Sequence, residues 1–279
     1  MIVRHTGVMR SVISIALLVL LAGPRSISAQ SFAAAATVEP QPTSDDQIPQ
    51  PDAAPPTPRH TGIAALLKGL GRDFKQLPSR ENVFWASGGG AVALAVHPAD
   101  AYVQRHMLGN RLASDIFKPG QIIGIVGPWA ASTVTYAWGR IADKPKVSHV
   151  GMDLLQSEIV AAALTGGLKF ATGRERPDGS GATSFPSGHA SGTFAFATAL
   201  ERHLGWRYSV PAYTVASYVA ASRLPANRHW LSDVVFGAVV GIVSGRTVTS
   251  REAQPYPVSV APTAGGLVIS WSPARFNRW

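Results

Sequence analysis

The feature that most constrains the fold is a series of six apolar blocks, none of which strictly alternates apolar and polar residues. Several of the blocks carry Gly or Ala at every third or fourth position, which is typical of helices that pack closely. The blocks span residues 83–96, 121–138, 154–170, 193–204, 208–221 and 234–243. We therefore predict an all-α fold, a bundle of about six helices.

Two further segments flank this series. Apolar residues recur at helical spacing over residues 62–77, with charged residues between them, which predicts an amphipathic helix. This helix either packs on the core or lies on a membrane surface, and its short length and mixed charge favour packing. After Arg251, two β-prone runs flank residues 263–266, and they predict a short terminal hairpin or extended flap within a tail that covers residues 252–279.

The first 59 residues differ in composition from the rest of the chain. Residues 1–29 have the order of a secretory signal peptide, because Arg4 and Arg10 precede an apolar run at 12–22 and small residues follow. The apolar run has about half of the ~20 residues that a spanning helix needs, and an uncleaved anchor is the alternative. Residues 30–59 are rich in Pro, Ala and Gln, and they predict a disordered linker. A helical domain over residues 60–251 follows, and we expect it to be exported.

Charge and cysteine content exclude several classes of protein. The chain of 279 residues has a net charge of +9 and no cysteine, so it is not a disulfide-stapled module, a zinc finger or a cysteine-nucleophile enzyme. The charges before residue 60 cancel, so the whole excess lies in the helical domain and its tail. A basic balance fits a nucleic acid, an anionic membrane or a phosphorylated substrate, and charge alone does not choose among them.

Three polar clusters interrupt the apolar texture, each at the end of a predicted helix. They are KFATGRERP at 169–177, FPSGH at 185–189 and SRLPANRHWLSD at 222–233. Taken singly, each has an ordinary structural explanation: solvated charges, an N-cap serine, or a surface His–Asp pair. His229 and Asp233 stand four residues apart, so at a helix start they would share a face and the carboxylate could orient the imidazole.

Together the clusters resemble the superfamily of type 2 phosphatidic acid phosphatases (PAP2) and vanadium haloperoxidases. The family pattern is Lys, six residues, Arg-Pro, then Pro-Ser-Gly-His, then Ser-Arg, five residues, His, three residues, Asp. This chain matches every position of the pattern. The resemblance covers about residues 80–250. The matching residues are Lys169, Arg176, Pro177, Pro186, Ser187, Gly188, His189, Ser222, Arg223, His229 and Asp233.

The resemblance implies a role for each polar residue of the pattern. His229 would be the nucleophile that forms a phosphohistidine, Asp233 would hold its ring, and His189 would act as general acid and then as general base. No metal or other cofactor is expected. The phosphate-binding residues would be Lys169, Arg176, Ser187, Gly188 and Arg223. Two nearby residues lie off the pattern. We predict that Arg174 shapes the electrostatic field or lies on the surface, and that His203 lies at a polar helix end.

The implied function is that of an exported phosphoric monoester hydrolase that acts on a phosphomonoester or pyrophosphate. A lipid substrate such as a phosphatidate or a polyprenyl pyrophosphate is favoured, with membrane contact and without nucleic acid. We expect a periplasmic or inner-membrane-associated location with the active site facing the periplasm. The alternatives are a non-specific acid phosphatase that acts on small esters, a vanadate-dependent haloperoxidase, and a non-catalytic scaffold that has kept the motifs.

Overall fold

The computed structural model describes residues 61–250, 258–263 and 266–271. The predicted signal peptide and linker lie outside these residues. The described helices, in chain order, are α1 (Ile63–Gln76), α2 (Arg80–Val96), a 3₁₀ turn (His97–Ala99), α3 (Asp100–Met107), α4 (Arg111–Ile141), α5 (Pro145–Thr172), α6 (Gly188–Leu204), α7 (Trp206–Ser222) and α8 (Leu231–Thr249).

The all-α prediction is confirmed, and the six apolar blocks fall in α2 and in α4 to α8. Each helix extends beyond its block, and a polar residue caps the extended start of α2 and of α4. The Ser79 side chain accepts a hydrogen bond from the Asn82 N–H at the start of α2 (3.2 Å), and Asn110 accepts one from the Ala113 N–H at the start of α4 (3.0 Å). Helix α3 was not predicted, since its eight residues, DAYVQRHM, carry too few apolar side chains for a periodic pattern.

The predicted hairpin is present after the helices. Strands β1 (Val258–Thr263) and β2 (Gly266–Trp271) pair antiparallel, with Val258 opposite Trp271 and Thr263 opposite Gly266. The two strands lie on either side of residues 264–265, in agreement with the sequence prediction.

A stripe of glycines brings α8 into contact with the backbone of α6. A Cβ atom on Gly237 would lie 2.6 Å from the Ser187 carbonyl oxygen, and one on Gly241 would lie 2.4 Å from the Ser191 carbonyl oxygen. Only glycine permits so close an approach. The contact places the first residues of α8 beside the first residues of α6, so two of the three motifs meet.

Helices α4, α5 and α7 complete the same end of the bundle. The Thr165 and Ser191 hydroxyls are 2.7 Å apart and join the last third of α5 to the start of α6. A Cβ atom on Gly120 of α4 would lie 2.9 Å from the Ser222 side chain at the end of α7. The ends of α5 and α7 and the starts of α6 and α8 therefore lie together, beside the first half of α4. We refer to this as the catalytic end.

Helix α1 packs by one edge only. Gly69 and Asp73 are buried, and the Gln156 side chain of α5 donates a hydrogen bond to the Leu66 carbonyl oxygen (3.3 Å). By contrast, Ile63 is 78% exposed and Leu67 is 64% exposed. The predicted packing on the core is therefore correct for the Gly69 and Asp73 edge alone.

Within the described residues, one helix is long and apolar enough to cross a membrane. This helix is α8, and 67% of its most apolar window is buried among the other helices.

Candidate active site

The first motif lies at the end of α5. Lys169 is in the last turn of that helix, which ends at Gly173 in a left-handed conformation with a φ of 53°. The Lys169 ammonium donates a hydrogen bond to the Thr183 carbonyl oxygen. Burial, and then the neighbouring Arg176 guanidinium, lower the pKa of Lys169 to about 8. The ammonium is thus charged at pH 7, but it lies within reach of physiological titration.

The second motif begins α6. Ser187 occupies the N-cap position, yet its side chain makes no capping hydrogen bond. Its hydroxyl oxygen is buried and has no partner among the described residues. The Ser187 backbone N–H donates to the Asp233 carbonyl oxygen (3.0 Å). The hydroxyl therefore lies at the N-terminus of α6 without being used by the helix itself, at a position where helix N–H groups favour an anion.

Two arginines, one in the first motif and one in the third, have buried Nε atoms for which no other described residue supplies a hydrogen-bond partner. These atoms belong to Arg176 and Arg223. Burial, and then the charges of Arg228 and Arg176, lower the pKa of Arg223 to about 10. Two cations that repel each other and leave buried donors unpaired are unfavourable unless an anion occupies the space between them.

The i, i+4 spacing predicts that His229 lies on the same helix as Asp233. In the structure His229 precedes the first residue of α8 by two positions. Its ring is buried, and Nδ1 lies 2.7 Å from the Ser184 carbonyl oxygen. A carbonyl oxygen only accepts, so Nδ1 carries the proton and Nε2 is left with a free electron pair. Burial lowers the pKa of His229, which keeps the ring neutral at pH 7.

The Asp233 carboxylate contacts the neighbours of His229 more closely than it contacts His229 itself. Its Oδ2 accepts hydrogen bonds from the Trp230 N–H (2.9 Å) and the Ser184 hydroxyl, but lies 3.8 Å from His229 Nδ1. That distance is longer than a hydrogen bond. Asp233 was expected to hold the imidazole, and in the structure the Ser184 carbonyl makes the direct contact. Burial would raise the pKa of Asp233, but these partners and the Arg174 guanidinium hold it below its ordinary value.

His189 lies in the first turn of α6, and its Nε2 is 3.2 Å from the Gln121 carbonyl oxygen of α4. Nδ1 is thus the ring nitrogen left for proton transfer. Burial and the Arg223 charge lower the pKa of His189 to about 4. The ring fits only because Gly124 lacks a side chain, since a Cβ atom there would lie 2.6 Å from His189 Cδ2. Gly124 was not predicted as a site residue, although it stands four residues after Gly120 on the same face of the helix.

Arg174 was predicted to shape the field or to lie on the surface, and in the structure it is half-buried. It bridges two buried carboxylates, with 2.6 Å to Asp233 and 2.7 Å to Asp100. Asp100 also accepts hydrogen bonds from the backbone N–H (2.8 Å) and the hydroxyl (2.6 Å) of Ser232. Asp100 begins α3, far from the three motifs in sequence, so no spacing signal pointed to it.

His203 lies near the other end of α6, away from the catalytic end. Its Nε2 is 3.1 Å from the Asp153 carboxylate, and both side chains are buried. The expected polar helix end is thus a buried His–Asp contact between α6 and α5.

The three motifs therefore occupy one end of the bundle. Residues 150–254 match the family model of the PAP2 superfamily. This PAP2 segment contains all three motifs and confirms the resemblance over α5 to α8. Asp100, which contacts the segment through Ser232 and Arg174, lies outside it.

Two known proteins are similar to this chain. Over 99 residues it is 48% identical to lipid A 1-phosphatase from Porphyromonas gingivalis, a match that covers 33% of this chain and 22% of that relative. The chain therefore spans about a fifth of the length of the curated relative. A solved structure, a transmembrane PAP2-type phosphatidylglycerolphosphate phosphatase from Bacillus subtilis, aligns with a TM-score of 0.47 and 18% identity, over 67% of this chain and 94% of the other.

Proposed function

We propose that this chain is an exported PAP2-type phosphatase that hydrolyses a phosphomonoester or pyrophosphate of a lipid. One observation carries the proposal. Among the described residues, three buried donors have no hydrogen-bond partner: the Ser187 hydroxyl and the Nε atoms of Arg176 and Arg223. The charge of Arg223 acts on His229, a neutral ring whose Nε2 is left with a free electron pair. Unpaired buried donors cost free energy, and phosphate oxygens would satisfy all three.

The reaction begins with attack of His229 Nε2 on phosphorus. The P–N bond forms as the bond from phosphorus to the leaving oxygen breaks, and His189 gives its proton to the departing alkoxide or phosphate. In the second step His189 takes a proton from water, the water oxygen attacks phosphorus, and the P–N bond breaks to release phosphate. The charge on the equatorial oxygens is offset by Lys169, Arg176 and Arg223.

The proton donor requires the bound substrate. In the empty site burial and cations hold the pKa of His189 near 4, so the ring is neutral at pH 7. A bound phosphate dianion offsets the charges of Arg223 and Lys169, which raises the pKa of His189 and lets it accept the proton that it later donates. Burial keeps the His229 ring neutral by lowering its pKa, and the Ser184 carbonyl holds the proton on Nδ1, so Nε2 remains the nucleophilic nitrogen.

A lipid substrate is supported by an apolar cavity of about 240 Å³ next to the site. Ala93, Leu94, Phe185 and Phe236 are among its lining residues, together with Arg174 and Ser232. Arg174 and Ser232 belong to the network around Asp233, so an acyl or prenyl chain in the cavity would lie close to the phosphate. The similar protein from P. gingivalis is named for lipid A, which is also a phosphorylated lipid.

Membrane contact is supported by large apolar side chains that lie exposed on the bundle. Helix α4 alone exposes nine of them, which together form a large apolar surface. They are Leu112, Ile116, Ile122, Ile123, Val126, Trp129, Val134, Trp138 and Ile141. Export, and an active site that faces the periplasm, rest on the predicted signal peptide.

The test is phosphate release from a phosphatidate, a polyprenyl pyrophosphate, a lipid A 1-phosphate and p-nitrophenyl phosphate. We expect His229→Ala to lower kcat at least about 10³-fold, because the nucleophile is lost. His106→Ala is the matched control, since His106 is exposed on α3 and contacts only the Tyr102 carbonyl and ring. Equal turnover by wild type and His229→Ala would overturn the mechanism.

The alternatives give different results in the same experiment. Faster turnover of p-nitrophenyl phosphate than of every lipid would favour a non-specific acid phosphatase. Bromide oxidation that requires added vanadate would favour a haloperoxidase. Recovery of the protein in the supernatant after a carbonate wash would limit its membrane contact to the bilayer surface, while leaving the phosphatase activity open to the first assay.

A further inference from the structure

Helix α1 presents three distinct faces. The residues that face the bundle include Gly69 and Asp73. An exposed apolar stripe of Ile63, Leu67 and Phe74 lies within about 40° of arc at 100° per residue, and a cationic stripe of Lys68, Arg72 and Lys75 lies within about 60° on the other side. Asp73 is the only acidic residue of α1, and it is turned inward, so the exposed surface of the helix carries no negative charge.

Helix α1 lies across the bundle near the end opposite the site. At its start, the Thr61 carbonyl accepts hydrogen bonds from Tyr136 (2.7 Å) and Arg140 (3.3 Å), which are in the last two turns of α4. At its end, Asn82 joins the Gln76 carbonyl (3.3 Å) to the Thr247 hydroxyl (2.8 Å) in the last turn of α8. Because α8 starts at the catalytic end, α1 crosses the bundle about 24 Å away along α8, at 1.5 Å per residue.

The surroundings of α1 match the composition of a membrane interface. The cationic stripe and Gly71 line an open groove on the surface of α1. At the neighbouring end of α4, Trp138 is 58% exposed, and indole rings concentrate at the boundary between lipid and water. An exposed apolar stripe beside an unopposed cationic stripe is the surface of a helix that lies in the plane of an anionic bilayer.

We propose that α1 is an interfacial helix that binds the surface of an anionic phospholipid bilayer. Ile63, Leu67 and Phe74 insert among the acyl chains, and Lys68, Arg72 and Lys75 contact the phosphate head groups. This inference rests on the membrane contact of the proposed function, and it adds which helix makes the contact and that the lipids are anionic. It does not depend on the chemistry at His229. Each cation near an anionic surface strengthens binding about fivefold, so the three together contribute about hundredfold.

The absence of cysteine from the chain allows a local measurement. Leu67→Cys in the full-length protein is labelled with an environment-sensitive fluorophore, and the protein is placed in phosphatidylcholine vesicles with increasing fractions of phosphatidylglycerol. We expect the emission to shift to the blue as the anionic fraction rises. The shift should disappear at 1 M salt, where the screening length is about 3 Å.

Two triple variants separate local charge from net charge. Lys68→Gln/Arg72→Gln/Lys75→Gln should require at least tenfold more phosphatidylglycerol for the same shift, or show none. Arg105→Gln/Arg111→Gln/Lys118→Gln removes the same charge from exposed residues of α3 and of the first third of α4, and it should behave like wild type. Circular dichroism of both variants checks that the helices remain folded.

A shift that is equal in neutral and anionic vesicles, or that survives in the α1 triple variant, would overturn the proposal. No turnover is measured, so this result would leave the phosphatase proposal standing. A loss of activity in His229→Ala would likewise say nothing about α1.

Discussion

At the scale of single residues, Lys169 is the cation of the site whose charge depends on pH near neutrality. Burial and the adjacent Arg176 lower the pKa of Lys169 to about 8, whereas the pKa of Arg223 falls only to about 10. A lysine is charged below its pKa. As pH rises through about 8, the site therefore loses one positive charge while the arginines keep theirs, and phosphate binding weakens.

Lys169→Arg should move this alkaline limit. We expect kcat/KM of the wild type to fall above about pH 8, and the fall in Lys169→Arg to begin at least about one pH unit higher, because a guanidinium stays charged. The absolute rate of the variant is expected to be lower, since the Lys169 hydrogen bond to Thr183 is altered. The measurement is kcat/KM for p-nitrophenyl phosphate as a function of pH. If the alkaline fall begins at the same pH in both proteins, Lys169 is not the group that causes it.

The sequence predicted those site residues whose side chains are chemically required, and it missed those that act in other ways. Ser184 orients His229 through a backbone carbonyl, which every residue type possesses, so its identity carries no signal. Gly124 acts by having no side chain beside His189. Asp100 acts from a distant part of the chain, and spacing rules do not reach across unrelated segments.

At the scale of elements, the start of α8 is held by α3 and by the loop after α5. Asp100 accepts the Ser232 N–H and hydroxyl, and Arg174 joins Asp100 to Asp233. A negative side chain at a helix N-terminus is stabilising, and here two of them share one guanidinium. The network fixes Asp233, whose carboxylate accepts a hydrogen bond from the Ser184 hydroxyl. The backbone carbonyl of Ser184 in turn orients His229.

Asp100→Asn and Arg174→Lys should therefore be strongly non-additive. We expect each to lower kcat at least about tenfold with a smaller change in KM, and the double variant to be little worse than either alone. The two substitutions should also be non-additive in the free energy of unfolding, with a coupling of about 1–3 kcal/mol. Urea unfolding and steady-state kinetics of the four proteins measure it.

The control for this cycle is the pair Asp178 and Arg228, whose ends are 3.0 Å apart and more exposed. Its coupling should stay below about 1 kcal/mol. Comparable coupling in both cycles would mean that the Asp100 and Arg174 contact has no special role at the start of α8.

At the scale of the whole molecule, the site is assembled entirely from residues 100–233. The helices were predictable because long apolar blocks with small residues have few other ways to bury themselves, and α2 and α4 to α8 follow those blocks. Their mutual arrangement was not predictable. It depends on close contacts between two backbones, such as that of Gly241 with Ser191, and residue types alone do not show which backbones meet.

A chain that begins at residue 60, exported by an unrelated signal peptide, should keep kcat/KM within about twofold of the full-length protein. Domains with their own core fold without their linkers, and each described contact of the site residues lies after residue 60. The measurement is phosphate release by the two purified proteins. A loss greater than about tenfold would show that the first 59 residues take part in the site and contradict the predicted domain boundary.

The hydrogen bond from His229 Nδ1 to the Ser184 carbonyl also has a stereochemical consequence. The nitrogen nearer the backbone is occupied, so a phosphoryl group transferred to this ring is carried on the outer nitrogen, and the adduct is the tele regioisomer. The two regioisomers of phosphohistidine have distinct ³¹P resonances. A trapped adduct thus reports, through a single chemical shift, which side of the imidazole the fold leaves open to the substrate.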